Sequence, residues 1–416
     1  MRAEIIAVGS ELLSFGRVES NSLFLASRLI PLGFDLPRKS VVADDPEVLT
    51  QTLDFALQAS KLVLITGGLG PTEDDVTRDA VARHLGRKLR EDPELLERLN
   101  SRYRRFAQMM TDNNRRQACV PEGAVAFPNP IGTAPGLGLE HEGRRIVLLP
   151  GPPRELEPMV DRHVVPWLKH SWSLSPRPLR IVKVAGEAES AVDHRIAPLT
   201  RRERRVQTTI LSSPGIVSLY FLWSGGRDPE AERILDDLVE SVCRELGDAV
   251  YSRQEESPAA ALGKRLSRLG WSLAVAESCT GGWIGKLVTD VAGSSNYFRG
   301  GIVSYSNEVK IRVLGVERVV LESEGAVSAA VAEAMAENTR RLLEADIGLS
   351  ATGVAGPSGG SEAKPVGTVF LGLAREGRVA SQKLWFPGDR EAVRLRTAHV
   401  GLDWVRRECD AAIRRH

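Results

Sequence analysis

The sequence has 416 residues, 42% of them hydrophobic and 26% charged, and a net charge of +1, which predicts a soluble globular protein of two or three domains. The nearly neutral charge gives no reason to expect binding to nucleic acid or to an anionic membrane surface. The four cysteines form no Cys-x-x-Cys pair, which argues against a disulfide framework or a thiolate zinc site and favours a reducing compartment.

Short apolar strands alternate with amphipathic helical patterns through residues 1–170. The chain enters a strand pattern directly, without the apolar run of a signal peptide or the roughly 18 apolar residues of a membrane helix. We therefore expect a cytoplasmic protein with no membrane partner. The predicted strands are AEIIAVG, LPRKSVVADD, KLVLITGG and RRIVLLPG, and the predicted helices are SNSLFLASRLIPLG and PEVLTQTLDFALQAS. This alternation predicts a parallel sheet with helices on both faces.

A glycine-rich turn follows the third predicted strand, in ITGGLGPTEDDVTRDAVARHLG. Gly67, Gly68 and Gly70 allow unusual backbone conformations and the close approach of a ligand. Thr72 and Asp75 have the spacing of a capping box, and this local role alone would explain the acidic residues at the helix start.

Three carboxylates favour a second interpretation of the same region. Glu11 in GSELL, Asp44 in VVADD and Asp75 in TEDD lie on segments that follow predicted strands. Because ligands bind at the carboxyl edge of a parallel sheet, these side chains would converge there. Converging carboxylates without nitrogen or sulfur ligands favour a divalent metal ion that bridges phosphates.

Two breaks divide the rest of the chain. The Ser- and Pro-rich stretch HSWSLSPRP, residues 170–178, is a predicted linker, and SRQEESP, residues 252–258, is a second break. The basic run TRRERR, residues 200–205, is interpreted as a solvated loop, because residues 171–255 contain no G-x-x-G loop that would clamp RNA. We predict three domains, residues 1–170, 171–256 and 257–416.

The stretch AESCTGG, residues 276–282, places two possible nucleophiles between a strand and a helix. Ser278 and Cys279 lie where backbone N–H groups without helical partners can hold an oxyanion or a phosphate. The alternative is that Ser278 or Thr280 only caps the helix.

The sequence offers no obvious histidine base for such a nucleophile. Beyond residue 259 the only histidines are the terminal His416 and His399, which lies in a helical pattern where a structural role is favoured. A serine nucleophile would need lysine or tyrosine as its base, and GGIVSYSNEVKIRVLGV supplies Tyr305 and Lys310. Burial can make a lysine a base by lowering its pKa, although a single lysine is usually solvated. Cys279 ranks second because a catalytic cysteine usually has a histidine nearby.

These motifs, together with GAVS, ATGVAGPSGG and KPVGTV, resemble the carboxy-terminal domain of the CinA family of competence/damage-inducible proteins over residues 259–407. That domain also occurs alone as the nicotinamide-nucleotide amidase PncC. The resemblance implies hydrolysis of nicotinamide mononucleotide to nicotinate mononucleotide and ammonia, without a cofactor. It implies Ser278 as the nucleophile and Lys310 and Tyr305 as its proton-transfer partners.

The resemblance also implies a set of substrate-binding residues. Ser295 and Thr352 would contact the substrate or the oxyanion, and we expect the N–H groups of residues 280–282 to stabilise the oxyanion. Arg390 and Arg394 are candidate phosphate partners, with a solvated helix face as the alternative. The full set is Thr280, Gly281, Ser295, Thr352, Gly353, Gly356, Arg390 and Arg394.

The amino-terminal motifs GSELL, SNS, TGGLGPTEDDVT, NPIGTAPG and LPGPPREL resemble the molybdopterin-binding fold of the MoaB and MogA proteins, in the version fused to CinA, over residues 1–167. This implies an ADP-ribose pyrophosphatase that needs a divalent ion (Mg, Mn or Co), for which the three carboxylates above are the candidate ligands. The family often has Asp or Thr where this chain has Ser10, which puts a ligand from that position in doubt. The candidate nucleotide-binding residues are Gly67, Gly68, Gly70, Thr72, Asp74, Gly132, Thr133, Gly136 and Gly151.

Residues 171–256 resemble the small KH-like insert of full-length CinA proteins, which we interpret as a spacer or a dimer contact. The predicted fold is therefore a doubly wound α/β domain, a small α+β insert and a carboxy-terminal α/β domain, in a protein expected to be a homodimer. Two alternatives to this function remain. In the first, the amino-terminal domain binds molybdopterin or another nucleotide without hydrolysing it. In the second, the chain is an interaction protein that takes part in competence or in the response to DNA damage.

Overall fold

The computed structural model describes residues 1–14, 16–105 and 110–415. The chain forms two compact units, Met1–Arg177 and Pro178–His416. The middle and carboxy-terminal segments, which the sequence separates near residue 256, share the second unit. No helix within the described ranges combines the length and the apolar character needed to cross a membrane.

The first unit is built on a sheet with the strand order β2-β1-β3-β8-β7-β6. Its strands, with a small separate β4–β5 pair, are β1 (Arg2–Val8), β2 (Asp35–Val42), β3 (Leu62–Thr66), β4 (Leu89–Glu91), β5 (Cys119–Pro121), β6 (Val125–Phe127), β7 (Gly136–His141) and β8 (Arg144–Leu149). Its helices are α1 (Glu11–Ser14), α2 (Asn21–Leu29), α3 (Pro46–Ala59), α4 (Thr77–His84), α5 (Pro93–Arg105), α6 (Asp112–Arg115), α7 (Pro153–Met159) and α8 (Val165–Ser171).

The prediction of a parallel sheet is confirmed for the four predicted strands, β2, β1, β3 and β8. Two strands that were not predicted, β7 and β6, extend the sheet through antiparallel pairs. The reason is the turn at Glu142 and Gly143, which both have positive φ, 48° and 71°. Such a two-residue turn joins β7 directly to β8 as a hairpin, whereas a parallel pair needs a longer crossover.

Both faces of this sheet are buried, as the sequence predicts. Alternate side chains of β1 enter opposite clusters, with Ile6 in the cluster that contains α3 and α4 side chains and Ile5 in the one that contains α2 and α7 side chains. The charge-free strand β3 is buried along its whole length. A sheet covered on both faces leaves its carboxyl edge as the open side of the unit.

The second unit begins with an antiparallel sheet of order β10-β11-β9-β12 that packs against two helices. Its elements are β9 (Leu179–Ala185), α9 (Glu189–Thr200), β10 (Val206–Ser213), β11 (Ile216–Trp223), α10 (Ala231–Leu246) and β12 (Val250–Ser252). The residues of β9, β11 and α10 have the apolar patterns of two strands and an amphipathic helix, whereas those of β10 do not. That strand lies at the edge of the sheet, so most of its side chains are polar or exposed and give no apolar pattern.

The rest of the second unit contains a sheet of order β14-β13-β15-β16-β17, whose first three strands are parallel and whose last two are antiparallel. Its strands are β13 (Leu273–Glu277), β14 (Phe298–Val303), β15 (Ile347–Gly353), β16 (Thr368–Arg375) and β17 (Arg378–Trp385). Its helices are α11 (Pro258–Leu269), α12 (Trp283–Thr289), α13 (Asn307–Arg312), α14 (Arg318–Glu324), α15 (Ala329–Leu342) and α16 (Arg390–Ile413).

The structural role favoured for His399 agrees with its surroundings. The ring is buried on α16, and its Nδ1 lies 2.8 Å from the carbonyl oxygen of Pro214 in the β10–β11 turn. Burial lowers the pKa of this histidine. The imidazole therefore helps to join the two parts of the second unit.

Candidate active site and candidate nucleotide site

Ser278 lies at the carboxyl edge of the parallel strands in the second unit. Glu277, the last residue of β13, is in register with Val303 at the end of β14 and with Ala351 in β15. The N–H of Ser278 donates to the carbonyl of Ala351 at 2.9 Å, which fixes the backbone immediately after the strand. The serine is mostly buried, with 9% of its surface exposed.

Lys310 reaches this serine from α13. The helix is capped by Ser306, whose side chain accepts from the N–H of Val309. Lys310 Nζ lies 3.0 Å from Ser278 Oγ and donates to the carbonyl of Ser304 at 2.6 Å. The lysine is 1% exposed, forms no ion pair with any described residue, and has a pKa that burial lowers. A buried amine beside a hydroxyl, without a carboxylate partner, is suited to accept the hydroxyl proton.

The alternative nucleophile, Cys279, is disfavoured by its surroundings. The side chain packs in the apolar core of the second unit and is 6% exposed. Burial raises the pKa of the thiol to about 12. Since the thiolate is the reactive form of a cysteine, this residue is a packing neighbour of Ser278.

The structure does not bring the Tyr305 hydroxyl into contact with Lys310. Its side chain is 61% exposed, and its hydroxyl accepts from Arg390 Nη2 at 2.9 Å. Lys310 contacts only the backbone carbonyl of Tyr305, at 3.4 Å. Arg390 also donates to the carbonyl of Gly356 at 2.7 Å. The exposed Arg390 guanidinium thus links the Tyr305 hydroxyl to the backbone of the buried Gly356.

The expectation that the N–H groups of residues 280–282 hold an oxyanion is wrong for two of the three. The buried carboxylate of Glu277 accepts from the N–H groups of Gly282, at 3.0 Å, and of Ile284 and Gly285. The N–H of Gly281 donates to the carbonyl of Ser278 at 3.1 Å. Glu277 was not predicted as a functional residue because it ends an apolar strand. An acidic side chain near the first turn of a helix is nevertheless known to stabilise that helix.

Thr280 keeps an available donor beside the nucleophile. It is fully buried, and its hydroxyl has no hydrogen-bond partner among the described residues. Its carbonyl accepts from Arg394 Nη2 at 2.7 Å, and the Arg394 guanidinium also lies 4.8 Å from the ring centre of Trp283. Arg394 therefore holds the turn at Ser278, and the Thr280 hydroxyl is a buried donor without a partner among the described residues.

The remaining predicted substrate contacts in this unit divide into two groups. Gly353 ends β15 at the same edge as Ser278. Thr352 is buried there, and its hydroxyl donates to the carbonyl of Ala326 at 2.7 Å. Ser295 is exposed in the turn before β14. Because β14 is parallel to β13, Ser295 lies at the amino edge of the sheet, at the opposite end of the strands from Ser278.

The amino-terminal unit contains a cavity of about 1040 Å³ at the carboxyl edge of its sheet. This volume is at the upper end of the roughly 300–1,000 Å³ that ligand pockets span. The predicted residues that line it are Glu11, Asp44, Gly67, Gly68, Gly70, Asp74, Asp75, Thr133 and Gly151. The sequence therefore identified nine residues that line a single cavity.

Three predicted nucleotide-binding residues lie outside this lining. Gly132 lines a smaller adjoining cavity of about 270 Å³. Gly136 is required for packing, because a Cβ there would lie 2.4 Å from the sulfur of Met159. Thr72 is exposed, and its hydroxyl donates to Asp75 at 2.6 Å. The assignment of Gly136 as a ligand contact is accordingly corrected to a core position.

Asp75 holds the glycine turn together. Its carboxylate accepts from the N–H of Gly70 at 2.7 Å and from the N–H of Thr72 at 2.8 Å, in addition to the Thr72 hydroxyl. The capping-box interpretation is wrong, since α4 begins at Thr77 and no side chain caps it. Because one carboxylate accepts three hydrogen bonds from this loop, Asp75 stabilises the loop conformation.

The three predicted metal ligands share the cavity but do not form a metal site. Asp44 Oδ2 accepts from the N–H of Ser10 at 2.8 Å, and Glu11 Oε1 lies 3.5 Å from Arg17. In the parts of the chain that the structure describes, no three His, Cys, Asp or Glu side chains lie close enough together to hold a metal ion. As they stand, these carboxylates do not fit a protein-only metal site.

Comparison with known proteins identifies two family domains in the chain. Residues 4–170 match the family model of a probable molybdopterin binding domain, and residues 255–409 match that of the CinA C-terminal domain. The chain is 41% identical to a putative competence-damage inducible protein of Caldanaerobacter subterraneus subsp. tengcongensis over 407 residues, which cover 98% of both chains.

Two further relatives differ in how much of this chain they cover. The chain is 42% identical to a CinA-like protein of Koribacter versatilis over 412 residues, 98% of this chain and 100% of that one. A crystal structure of the protein CinA from Thermoplasma acidophilum is similar at 33% identity and a TM-score of 0.38, covering 41% of this chain and 99% of that one. The similarity to the first two extends over nearly the whole length of each protein.

Proposed function

This chain belongs to the family of CinA-like, competence-damage inducible proteins, and from that premise we propose that its second unit is a serine amidase acting on nicotinamide mononucleotide. The observation that carries the proposal is the 3.0 Å distance between Ser278 Oγ and the buried Lys310 Nζ. The choice of substrate rests on the resemblance of this unit to the nicotinamide-nucleotide amidases. The products would be nicotinate mononucleotide and ammonia.

The proposed reaction is acyl transfer through Ser278. Its oxygen attacks the carboxamide carbon while the Lys310 amine accepts the hydroxyl proton. The protonated amine then gives this proton to the leaving nitrogen, which departs as ammonia. Water attacks the acyl-serine, Lys310 accepts a proton from it, and the acid is released as Ser278 regains its proton. The Thr280 hydroxyl, which has no partner among the described residues, would donate to the oxyanion.

The test is ammonia release from nicotinamide mononucleotide by the full-length protein, measured without added metal and in the presence of a chelator. Production of nicotinate mononucleotide in equal amount would support the proposal. An inactive protein that still folds would favour the competing proposal, an interaction protein of competence or DNA damage. Homodimer formation remains a prediction that light scattering would test.

Replacing Tyr305 with Phe should change kcat by less than about fivefold, because loss of an exposed hydrogen bond to a charged group is worth about 1 kcal/mol or less. The KM should rise more than kcat falls, since the variant frees the Arg390 guanidinium from its partner. Steady-state kinetics would measure both constants. A loss of kcat by a hundredfold would restore Tyr305 as a proton-transfer residue.

We propose a second activity for the first unit, hydrolysis of ADP-ribose to AMP and ribose 5-phosphate. The observation that favours it is the large cavity lined by the glycine turn and by carboxylates. The need for a divalent ion remains a prediction from the resemblance, tested by adding Mg, Mn or Co and then a chelator. Binding without release of AMP would favour the alternative, a domain that only binds a nucleotide or molybdopterin.

Replacing Asp75 with Asn should weaken ADP-ribose binding by roughly tenfold, because the amide cannot accept all the donors that hold the glycine turn. The half-saturating concentration of the divalent ion should stay unchanged if Asp75 acts only through the loop. Substrate titrations at several metal concentrations would separate the two effects. A large rise in the metal requirement alone would make Asp75 a metal ligand and contradict this assignment.

A further inference from the structure

We propose that the smaller cavity of the first unit binds the base of a nucleotide whose phosphates occupy the larger cavity. This rests on the proposed nucleotide site in that unit and adds a subsite to it. The two cavities adjoin, since Gln117 and Thr133 line both of them. A ligand that lies in both would pass between these two side chains.

The smaller cavity has a volume and a lining suited to a flat apolar group. Its volume is about 270 Å³, and its walls include apolar residues from α5 and from the loop before β7, Leu95, Leu99, Pro128, Pro130 and Pro135. The two leucines also belong to the local apolar core. Flat aliphatic and prolyl surfaces can pack against both faces of a base, which leaves only the edges of the ring in need of polar partners.

Gln117 supplies a polar partner at the junction of the two cavities. The residue is 1% exposed, and its Oε1 has no hydrogen-bond partner in the described structure. A buried amide oxygen without a partner is unfavourable by about 1–3 kcal/mol. A bound group with a donor would remove this penalty.

The chemistry of a carboxamide matches the edge of a purine. A Gln side chain can pair with the adjacent amino group and ring nitrogen of adenine, giving one hydrogen bond in each direction. The sugar hydroxyls and phosphates carry no such paired edge. Adenine is also the base of the substrate proposed for this unit.

The lining around Asn129 is formed before any ligand binds. Asn129 Nδ2 donates to the carbonyl of Ala134 and to Glu155 Oε2, both at 2.8 Å. Asn129 Oδ1 accepts from the N–H groups of Ile131 and Gly132. The carbonyl of Ala118, next to Gln117, accepts from the N–H of Asp92 at 2.9 Å. Hydrogen bonds within the protein therefore fix the lining at both Asn129 and Ala118.

Calorimetric titration of the full-length protein with AMP tests the proposal. The Gln117→Leu variant should bind AMP at least about tenfold more weakly than the wild type, while ribose 5-phosphate, followed by competition, should bind equally well to both. The matched control is Gln207→Leu, the same change at an exposed position of β10 in the second unit. Thermal unfolding of each variant shows whether the fold is kept.

A second variant fills the smaller cavity from α5. Leu99→Trp would fill the cavity and should also weaken AMP binding without affecting ribose 5-phosphate. Absence of AMP binding to the wild type, or AMP binding unchanged in both cavity variants, would overturn the base site. An equal loss of affinity for AMP and for ribose 5-phosphate would also overturn the base site, because the substitutions would then affect binding without regard to the base.

The outcomes separate this inference from the proposed hydrolysis. If AMP binds and both variants weaken it but ADP-ribose is not hydrolysed, the base site stands and the pyrophosphatase proposal fails. If ADP-ribose is hydrolysed and the variants retain the wild-type KM, the pyrophosphatase stands and the base site fails.

Discussion

Replacing Ser278 with Ala should lower kcat for nicotinamide mononucleotide by at least about 10³-fold, as expected for loss of a nucleophile. The fold should be unchanged, because the Ser278 contacts that fix the turn are made by its backbone N–H and carbonyl. Only the hydroxyl, which faces Lys310 Nζ, is removed. Ammonia release and thermal unfolding, measured on the same preparation, would check both statements.

Two controls make this result specific. Cys279→Ala should retain kcat, since the thiol is buried and its pKa is raised to about 12, although the cavity left in the core would lower stability by about 1 kcal/mol. Ser267→Ala, at an exposed position of α11, should change neither quantity. Inactivation by the Cys279 substitution together with activity in the Ser278 variant would make the cysteine the nucleophile.

The contact between Ser278 and Lys310 could be anticipated because its determinants are local. An apolar strand, a glycine pair and a helical pattern place Ser278 at a strand end. The next parallel strand ends just before α13, so its lysine arrives at the same sheet edge. The shortage of histidines in this half then left few candidates for a base.

Features that depend on side-chain direction could not be read from the pattern. Tyr305 and Lys310 are neighbours in sequence, yet one is 61% and the other 1% exposed, because the helix start turns them to opposite sides. In the sequence, Glu277 is only the last residue of an apolar strand. Its role becomes visible in the structure, where its carboxylate accepts hydrogen bonds from the start of α12. The partners of a polar group across a fold are set by packing, which a single sequence does not specify.

The first unit shows the same limit for its carboxylates. Strand ends correctly predicted that Glu11, Asp44 and Asp75 would reach one cavity. Their hydrogen bonds are made with nearby loop groups, such as Gly70 and Ser10, that no periodic pattern reveals. Gln117, on a short turn between α6 and β5, has no sequence signal for a binding role apart from being a polar residue beside an apolar one.

Replacing Lys310 with Met should lower kcat by about 10²–10⁴-fold, the range expected for loss of a general base. Lys310→Arg should be equally inactive, because an arginine keeps its positive charge and cannot accept the proton. Stability should be kept or raised in the Met variant, since a buried amine is replaced by an apolar chain of similar length. Lys286→Met, at a 62% exposed position of α12, is the matched control.

The pH dependence distinguishes a base from a residue that only fills space. The neutral amine is the form that accepts a proton, so wild-type kcat/KM should rise with pH through the pKa of Lys310 and level off above it. Burial lowers this pKa from its ordinary value of 10.5, so the rise should be centred below that of an exposed lysine. The residual activity of the Met variant should lack this step. A wild-type rate that falls as the amine loses its proton, or a Met variant that keeps the same profile, would remove Lys310 as the base and leave the buried Lys310–Ser278 contact without a role in the chemistry.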